Sequence, residues 1–186
     1  MSADGEEIII VRSMTDSDMG LFSAHQRAAK SRQRAIALTT RAARELLSPD
    51  LFDGGGGRDM DCICTFASVT NRELRHIGKV GKNWRLGGRQ IAGSEFAALD
   101  SMDFALIRSC RHNDGESPIL ITFVGRRAQR FMQAGLAASI GKQLKESVAI
   151  FGSESDAFDA LASLFPPVPA RIAIQRVQAQ PALQLA

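Results

Sequence analysis

Asp61-Cys62-Ile63-Cys64-Thr65-Phe66-Ala67-Ser68-Val69, Glu73-Leu74-Arg75-His76-Ile77-Gly78-Lys79 and Asn83-Trp84-Arg85-Leu86 follow one another with only short turns between them. In each run β-branched, aromatic or sulfur-bearing residues alternate with polar ones, as strands with one buried face require. Working outward, residues 7–11 read as an opening strand, and residues 104–109 and 119–124 as two later ones. Short strands at this spacing, joined by Gly- or Asp-rich turns, predict a mainly β chain of the α+β kind. The expected architecture is an open antiparallel pseudobarrel with short peripheral helices and a helical C-terminal extension.

The peripheral elements follow from local signals. Thr15-Asp16-Ser17-Asp18 offers N-cap oxygens and negative charge for a short helix running to about Arg27. Residues 30–39 change from polar to alternating, as a strand entering the core would. Thr40 caps a turn or two of helix over residues 41–47, with Leu46 and Leu47 inward and Ser48-Pro49 as its end. Residues 94–99 predict a further short helix, and the Gly54-Gly55-Gly56-Gly57 run a surface loop without chemistry. From Arg126 to Glu146 the signals are helical, and Met132, Leu136, Ile140, Leu144 and Val148 recur every four residues as one apolar stripe. Residues 156–164 predict a last amphipathic turn or two. Pro166, Pro167 and Pro169 then lead to a Gln/Ala-rich tail. The chain therefore divides into a β pseudobarrel over residues 1–125, a helical extension over 126–165 and a tail over 166–186.

With 186 residues, 45% of them apolar and 23% charged, the chain can bury one ordinary core. The net charge of +3 is modest, so its distribution carries the information. Residues 27–44 hold six Arg or Lys and no carboxylate; residues 72–89 hold six against Glu73 alone. Cys62 and Cys64 alternate along one strand face as small hydrophobes, and with Cys110 they make an odd number without a second ligand pair for zinc. The apolar stretches are short of a membrane span and residues 1–7 are acidic, the reverse of a secretory leader. A cytoplasmic location is expected.

Catalytic signals are sparse. His25 precedes Arg27 in a helical segment, His76 lies in a basic strand, and His112 belongs to the turn Arg111-His112-Asn113-Asp114-Gly115; none has a nucleophile beside it in sequence. A small metal-dependent nuclease would need converging carboxylates near a lysine, whereas Glu73-Leu74-Arg75 has arginine at that place. No cofactor, no metal and no activity of the chain's own are expected. Nucleic-acid binding accounts for more. Phosphate contact needs cations, and base reading needs forked donors or amides. Lys30, Arg32, Gln33 and Arg34 in the first zone, and Lys79, Lys82, Asn83, Arg85 and Arg89 in the second, carry both. Trp84, the single tryptophan, has two readings: a stacking platform for a base, or an anchor holding the strand to the core.

Residues 30–126 resemble the B3-like pseudobarrel DNA-binding domains that serve as effector or target-recognition modules of restriction endonucleases. The resemblance rests on Lys82-Asn83-Trp84-Arg85-Leu86, a glycine turn, Ile91-Ala92-Gly93 with Phe96 and Leu99, then Asp103-Phe104-Ala105-Leu106-Ile107 leading to the strand at 119–123. It implies a module of a restriction or defence system that reads the sequence or modification of duplex DNA, gripped between two basic arms at residues 30–34 and 79–89. A nuclease or other effector protein would bind through residues 126–165. The chief rival reading is a protein-interaction subunit docking through that C-terminal helical stripe.

Overall fold

A continuous β-branched run such as Ile8-Ile9-Ile10-Val11 is what a strand buried on both faces requires. In the computed structural model, which describes residues 6–25, 33–113, 117–125, 128 and 135–167, this run lies in β1 (Glu7–Ser13). Ile8 and Ile10 join one apolar core while Ile9 and Val11 join a second on the opposite face. The other strands are β2 (Ala35–Leu38), β3 (Arg58–Phe66), β4 (Val69–Val80), β5 (Asn83–Gly87), β6 (Phe104–Cys110), β7 (Ile119–Val124) and β8 (Val148–Gly152). They form a single sheet in the order β2-β5-β4-β3-β7-β6-β1-β8. Ile36 and Leu38 of β2, at one end of this order, share a core with Ile8 and Ile10 of β1 near the other, so the sheet curls into a half-barrel.

The mainly β expectation holds, and β1 to β7 appear close to where the sequence pattern placed them, whereas β8 falls where no strand was expected. The sheet is mixed rather than antiparallel, because β3 and β7 run parallel with Cys62 opposite Ile119 and Thr65 opposite Thr122. β3, β4 and β5 form one antiparallel meander, β6 and β7 another antiparallel pair, and the parallel ladder joins them.

The helices are shorter than periodicity predicts. Residues 15–25 form two 3-10 turns, Asp18–Leu21 and Ser23–His25, instead of an α-helix. In α1 (Thr40–Leu46) the cap is Thr39, whose Oγ1 accepts from the Ala42 N–H at 3.1 Å. Pro49 does not simply end that segment; it opens α2 (Pro49–Asp53), where its missing N–H costs nothing. The expected stripe from Met132 to Val148 is also broken. Met132 lies outside the described residues, and α3 (Leu136–Gln143) begins after Gly135 at φ 64°. It stops before Leu144, which is extended. The chain then reverses through Glu146 and Ser147, both at positive φ, and Val148 enters β8. Lys145 and Val148 exchange both backbone hydrogen bonds at 2.9 Å across that two-residue turn. β8 pairs antiparallel with β1, so the C-terminal segment supplies a strand to the main sheet. Leu136 and Ile140 of α3 pack with Phe158 and Leu161 of α4 (Phe158–Ala162) over the second core. Among the described residues no helix is long and apolar enough to cross a membrane.

One ion pair fastens the curl. Asp18 has no exposed surface, and its Oδ2 accepts from Arg12 Nε at 3.1 Å, Arg12 Nη2 at 2.9 Å, the Thr15 N–H at 2.8 Å and Thr15 Oγ1 at 2.9 Å. Its Oδ1 accepts from the Ala37 N–H of β2 at 3.0 Å. Arg12 Nη1 in turn donates to the Glu146 carbonyl at 3.3 Å. The pair thus bonds β1, β2 and the turn before β8 to one another. Removing one partner strands the other charge in the core, so Asp18→Ala is expected to lose about 3 to 5 kcal/mol of unfolding free energy. Glu7→Ala, which breaks a half-exposed pair with Arg108, should lose less than about 1 kcal/mol. Urea unfolding of both variants measures the contrast.

Candidate functional site

β4 and β5 meet in a two-residue turn in which Gly81, at φ 62°, takes the left-handed position and Lys82 stands at the tip. Along β5 the side chains alternate. Trp84 and Leu86 are buried, while Asn83 is exposed and Arg85 half-exposed. Trp84 is only 2% exposed and stacks on Phe52 of α2 with ring centroids 5.1 Å apart and planes at 14°. Arg44 covers the other partner's ring, 4.9 Å from the Phe52 centroid. Of the two readings of the tryptophan, the core anchor is the one this geometry fits.

β2 lies directly beside β5, with Leu38 opposite Trp84 and Ala35 opposite Gly87. The Gly88 N–H donates to the Arg34 carbonyl at 3.3 Å, which brings Arg34 next to Arg89. Gln33 and Arg34 therefore sit at one end of this strand pair with Arg89, and Lys79, Lys82 and Asn83 at the other. Seven residue steps separate Lys82 from Arg89, about 20 Å of extended chain. The described part of the first zone, Gln33 and Arg34, therefore shares one edge with the second zone. Lys30 and Arg32 lie outside the described residues.

Clefts open at both ends of the edge. At the Arg34 end a cleft of about 470 Å³ is lined by Arg34, Asn71, Arg72, Glu73, Arg89 and Gln90 together with Ile91 and Ala92. At the other end, a cleft of about 310 Å³ holding Lys82 and Asn83 shares Thr39 and Glu146 with one of about 490 Å³ holding Arg41, Lys142 and Lys145. Together these two make a basic groove along the seam between β2 and β8.

The cations divide into two populations. Arg72 pairs with Asp61, Arg108 with Glu7, and Arg111 with Glu6 and Glu45, as Arg12 does with Asp18. The side chains of Arg34, Arg41, Lys79, Lys82, Arg85, Arg89, Lys142 and Lys145, by contrast, make no hydrogen bond or ion pair among the described residues. All of these free cations fall on the β2/β5/β4 edge or the seam groove. The paired ones serve the fold, and the free ones outnumber the carboxylates Glu73 and Glu146 that line the same clefts.

Arg75 is the exception that sequence reasoning missed. Register places Arg75 opposite Met60 and Glu73 opposite Cys62, so both charged side chains point to the inner face of the half-barrel. The Arg75 side chain has no exposed surface. Its Nη2 donates to Glu73 Oε1 at 2.7 Å and to the Arg89 carbonyl at 3.3 Å, while Nε and Nη1 have no hydrogen-bond partner. The available signal was the period of two through Glu73, Arg75 and Ile77, opposite the apolar alternation of Cys62 and Met60. Burial pushes the neighbouring Cys64 thiol up to about 12, against the opposing pull of Arg75, and burial raises Cys62 as well. The histidines are held by local bonds: His25 Nε2 lies 2.9 Å from the Phe96 carbonyl, His76 Nδ1 2.9 Å from Asp59, and His112 Nδ1 3.1 Å from the Leu47 carbonyl. Among the described residues no three His, Cys, Asp or Glu side chains converge in the manner of a metal site.

Three outcomes follow from these environments. A thiol reagent at pH 8 is expected to modify the partly exposed Cys110 first and to reach Cys62 and Cys64 only with unfolding, as mass spectrometry against denaturant would record. Because the folded Cys64 holds its proton up to about 12 and an ordinary thiol releases it near 9.0, its contribution to stability is complete below pH 9 and declines as pH rises toward 12. Trp84→Ala should cost about 3 to 5 kcal/mol of stability, read by thermal or urea melting.

In comparisons with known proteins, no protein-family model and no curated protein matches this chain.

Proposed function

We propose that this chain is a double-stranded DNA-binding module that reads base sequence or modification, and that its contact surface is the β2/β5/β4 edge continued by the seam groove. The observation that carries the reading is the segregation of free cations. Among the described residues, Arg12, Arg72, Arg75, Arg108 and Arg111 are matched to carboxylates, whereas Arg34, Arg41, Lys79, Lys82, Arg85, Arg89, Lys142 and Lys145, gathered on this edge and the seam groove, have side chains without such a partner. A polyanion supplies the missing charge, and release of its condensed counterions supplies affinity. An edge of about 20 Å is of the order of six base pairs along a duplex at about 3.4 Å per step. Asn83, Gln90 and the guanidinium groups add the forked donors and amides that base reading uses.

From the resemblance to B3-like recognition modules a role in a restriction or defence system and a cytoplasmic setting follow as parts of the proposal. The rival docking reading draws less support. Leu136 and Ile140, the stripe residues that would meet a partner, are buried against the chain's own sheet with Phe151 and Phe158.

The test is a salt-titrated binding assay on duplex DNA, single-stranded DNA and RNA. Duplex affinity is expected to fall steeply with salt. Arg34→Ala and Lys82→Ala are each expected to weaken binding several-fold and to reduce the slope of log K against log salt by about one. Arg108→Ala, whose side chain pairs with Glu7 on β1, should leave affinity unchanged. Salt-independent binding, or equal losses in all three variants, would refute the assignment.

A further inference from the structure

The cleft at the Arg34 end of the edge has a chemical polarity that cation attraction alone does not explain. Its rim carries Arg34 and Arg89, but its lining includes Glu73, Asn71 and Gln90. Asn71 Nδ2 donates to the Ala92 carbonyl at 3.4 Å and Gln90 Nε2 to the Gly20 carbonyl at 3.0 Å. Because both partners are carbonyls, the amide NH2 groups are the ones engaged, and the amide oxygens remain as acceptors. Glu73 accepts from Arg75 through Oε1, and its half-buried carboxylate lines the cleft. The buried Arg75 holds that carboxylate in place from below, and through the Arg89 carbonyl it also ties down the segment that forms the far wall. Burying a guanidinium is costly, and here it goes with the fixed position of a single half-buried carboxylate.

The result is a cleft of about 470 Å³ whose lining combines the acceptor-bearing side chains of Glu73, Asn71 and Gln90 with two unpaired cations, Arg34 and Arg89. Guanidinium groups suit phosphates, whereas acceptors need a neutral donor beside those phosphates. In the major groove of duplex DNA the donors are the exocyclic amino groups, N4 of cytosine and N6 of adenine. We propose that Glu73, clamped by Arg75 and flanked by Asn71, reads the exocyclic amino group of a DNA base while Arg34 and Arg89 hold the neighbouring phosphates. This rests on the DNA-binding reading above and adds the base chemistry that it leaves open.

The experiment is selection of bound duplexes from a randomised DNA library by the full chain, followed by sequencing. The wild type is expected to enrich cytosine or adenine at one position, and which of the two is enriched identifies the amino group. Glu73→Gln combined with Arg75→Met removes both charges of the pair together, and Asn71→Ala leaves the pair intact, so a folding defect in the first does not spoil the second. Both are expected to lower the preference at that one position by about ten-fold, with Arg108→Ala keeping it. An unchanged preference in both variants, or salt-dependent binding by the wild type with no preferred position, overturns base reading by Glu73 and leaves DNA binding standing. Absence of duplex binding at low salt overturns both.

Discussion

The Arg12 to Asp18 pair is the constraint on which the remaining architecture depends. A curled sheet with two free edges has unpaired backbone donors at both, and closing it fully would require β2 to pair with β8. Here the closure is made by side chains. Asp18 takes the Ala37 N–H of β2, and Arg12 takes the Glu146 carbonyl of the turn that launches β8. Every oxygen of the buried carboxylate is used, which is the condition under which a buried charge is tolerated. The same bonds hold the two edges close without fusing them, and the basic groove is the space left between.

That arrangement separates the fold's electrostatics from those of its surface. Arg72 with Asp61 and Arg111 with Glu45 are cross-strand or loop-to-helix pairs that help hold register. Along the β2/β5/β4 edge carboxylates are scarce, and the one lining the cleft at the Arg34 end, Glu73, is already engaged by a buried arginine rather than by Arg34 or Arg89. The cations there are available to an outside partner because nothing inside needs them. Trp84 completes the division of labour from beneath: stacked on Phe52, it anchors the strand whose alternate residue, Arg85, faces outward.

Much of this was legible in the sequence because strand alternation is a local signal. Residues 83–86, 104–109 and 119–124 are read almost to their bounds from the period of two. The parallel pairing of β3 with β7 was not legible, since it joins strands some fifty residues apart whose partnership no local pattern encodes. β8 was missed for a different reason. Leu136, Ile140, Leu144 and Val148 sit at helical spacing, but the helix stops at Gln143, Leu144 is extended, and positive φ at Glu146 and Ser147, residues not usual in that conformation, turns the chain back. The basic zones were readable as composition, while the placing of Gln33 and Arg34 beside the second zone required the β2/β5 register. Asp18 offered a cap-like oxygen to the reader, and tertiary structure turned it into a buried acceptor. Glu73 looked like a stray acid among cations; its pairing with Arg75 shows why it stands there.

Openness is what allows charged side chains on the inner face of so small a sheet. In a closed barrel the inner-face charges Glu73 and Arg75 would be sealed in with Cys62 and Cys64, and their burial would be cost without return. At the mouth of a half-barrel the same pair can keep one oxygen toward a cleft while the guanidinium stays in the core. The geometry therefore links two features that look unrelated in the sequence. The buried pair at Arg12 and Asp18 fixes how far the sheet can close, and that limit determines whether the carboxylate at Glu73 is a buried defect or an accessible acceptor. On this argument the position of β2 is the common variable: it carries the bond to Asp18 in its middle, Arg34 just before its start, and Thr39 of the seam groove just after its end.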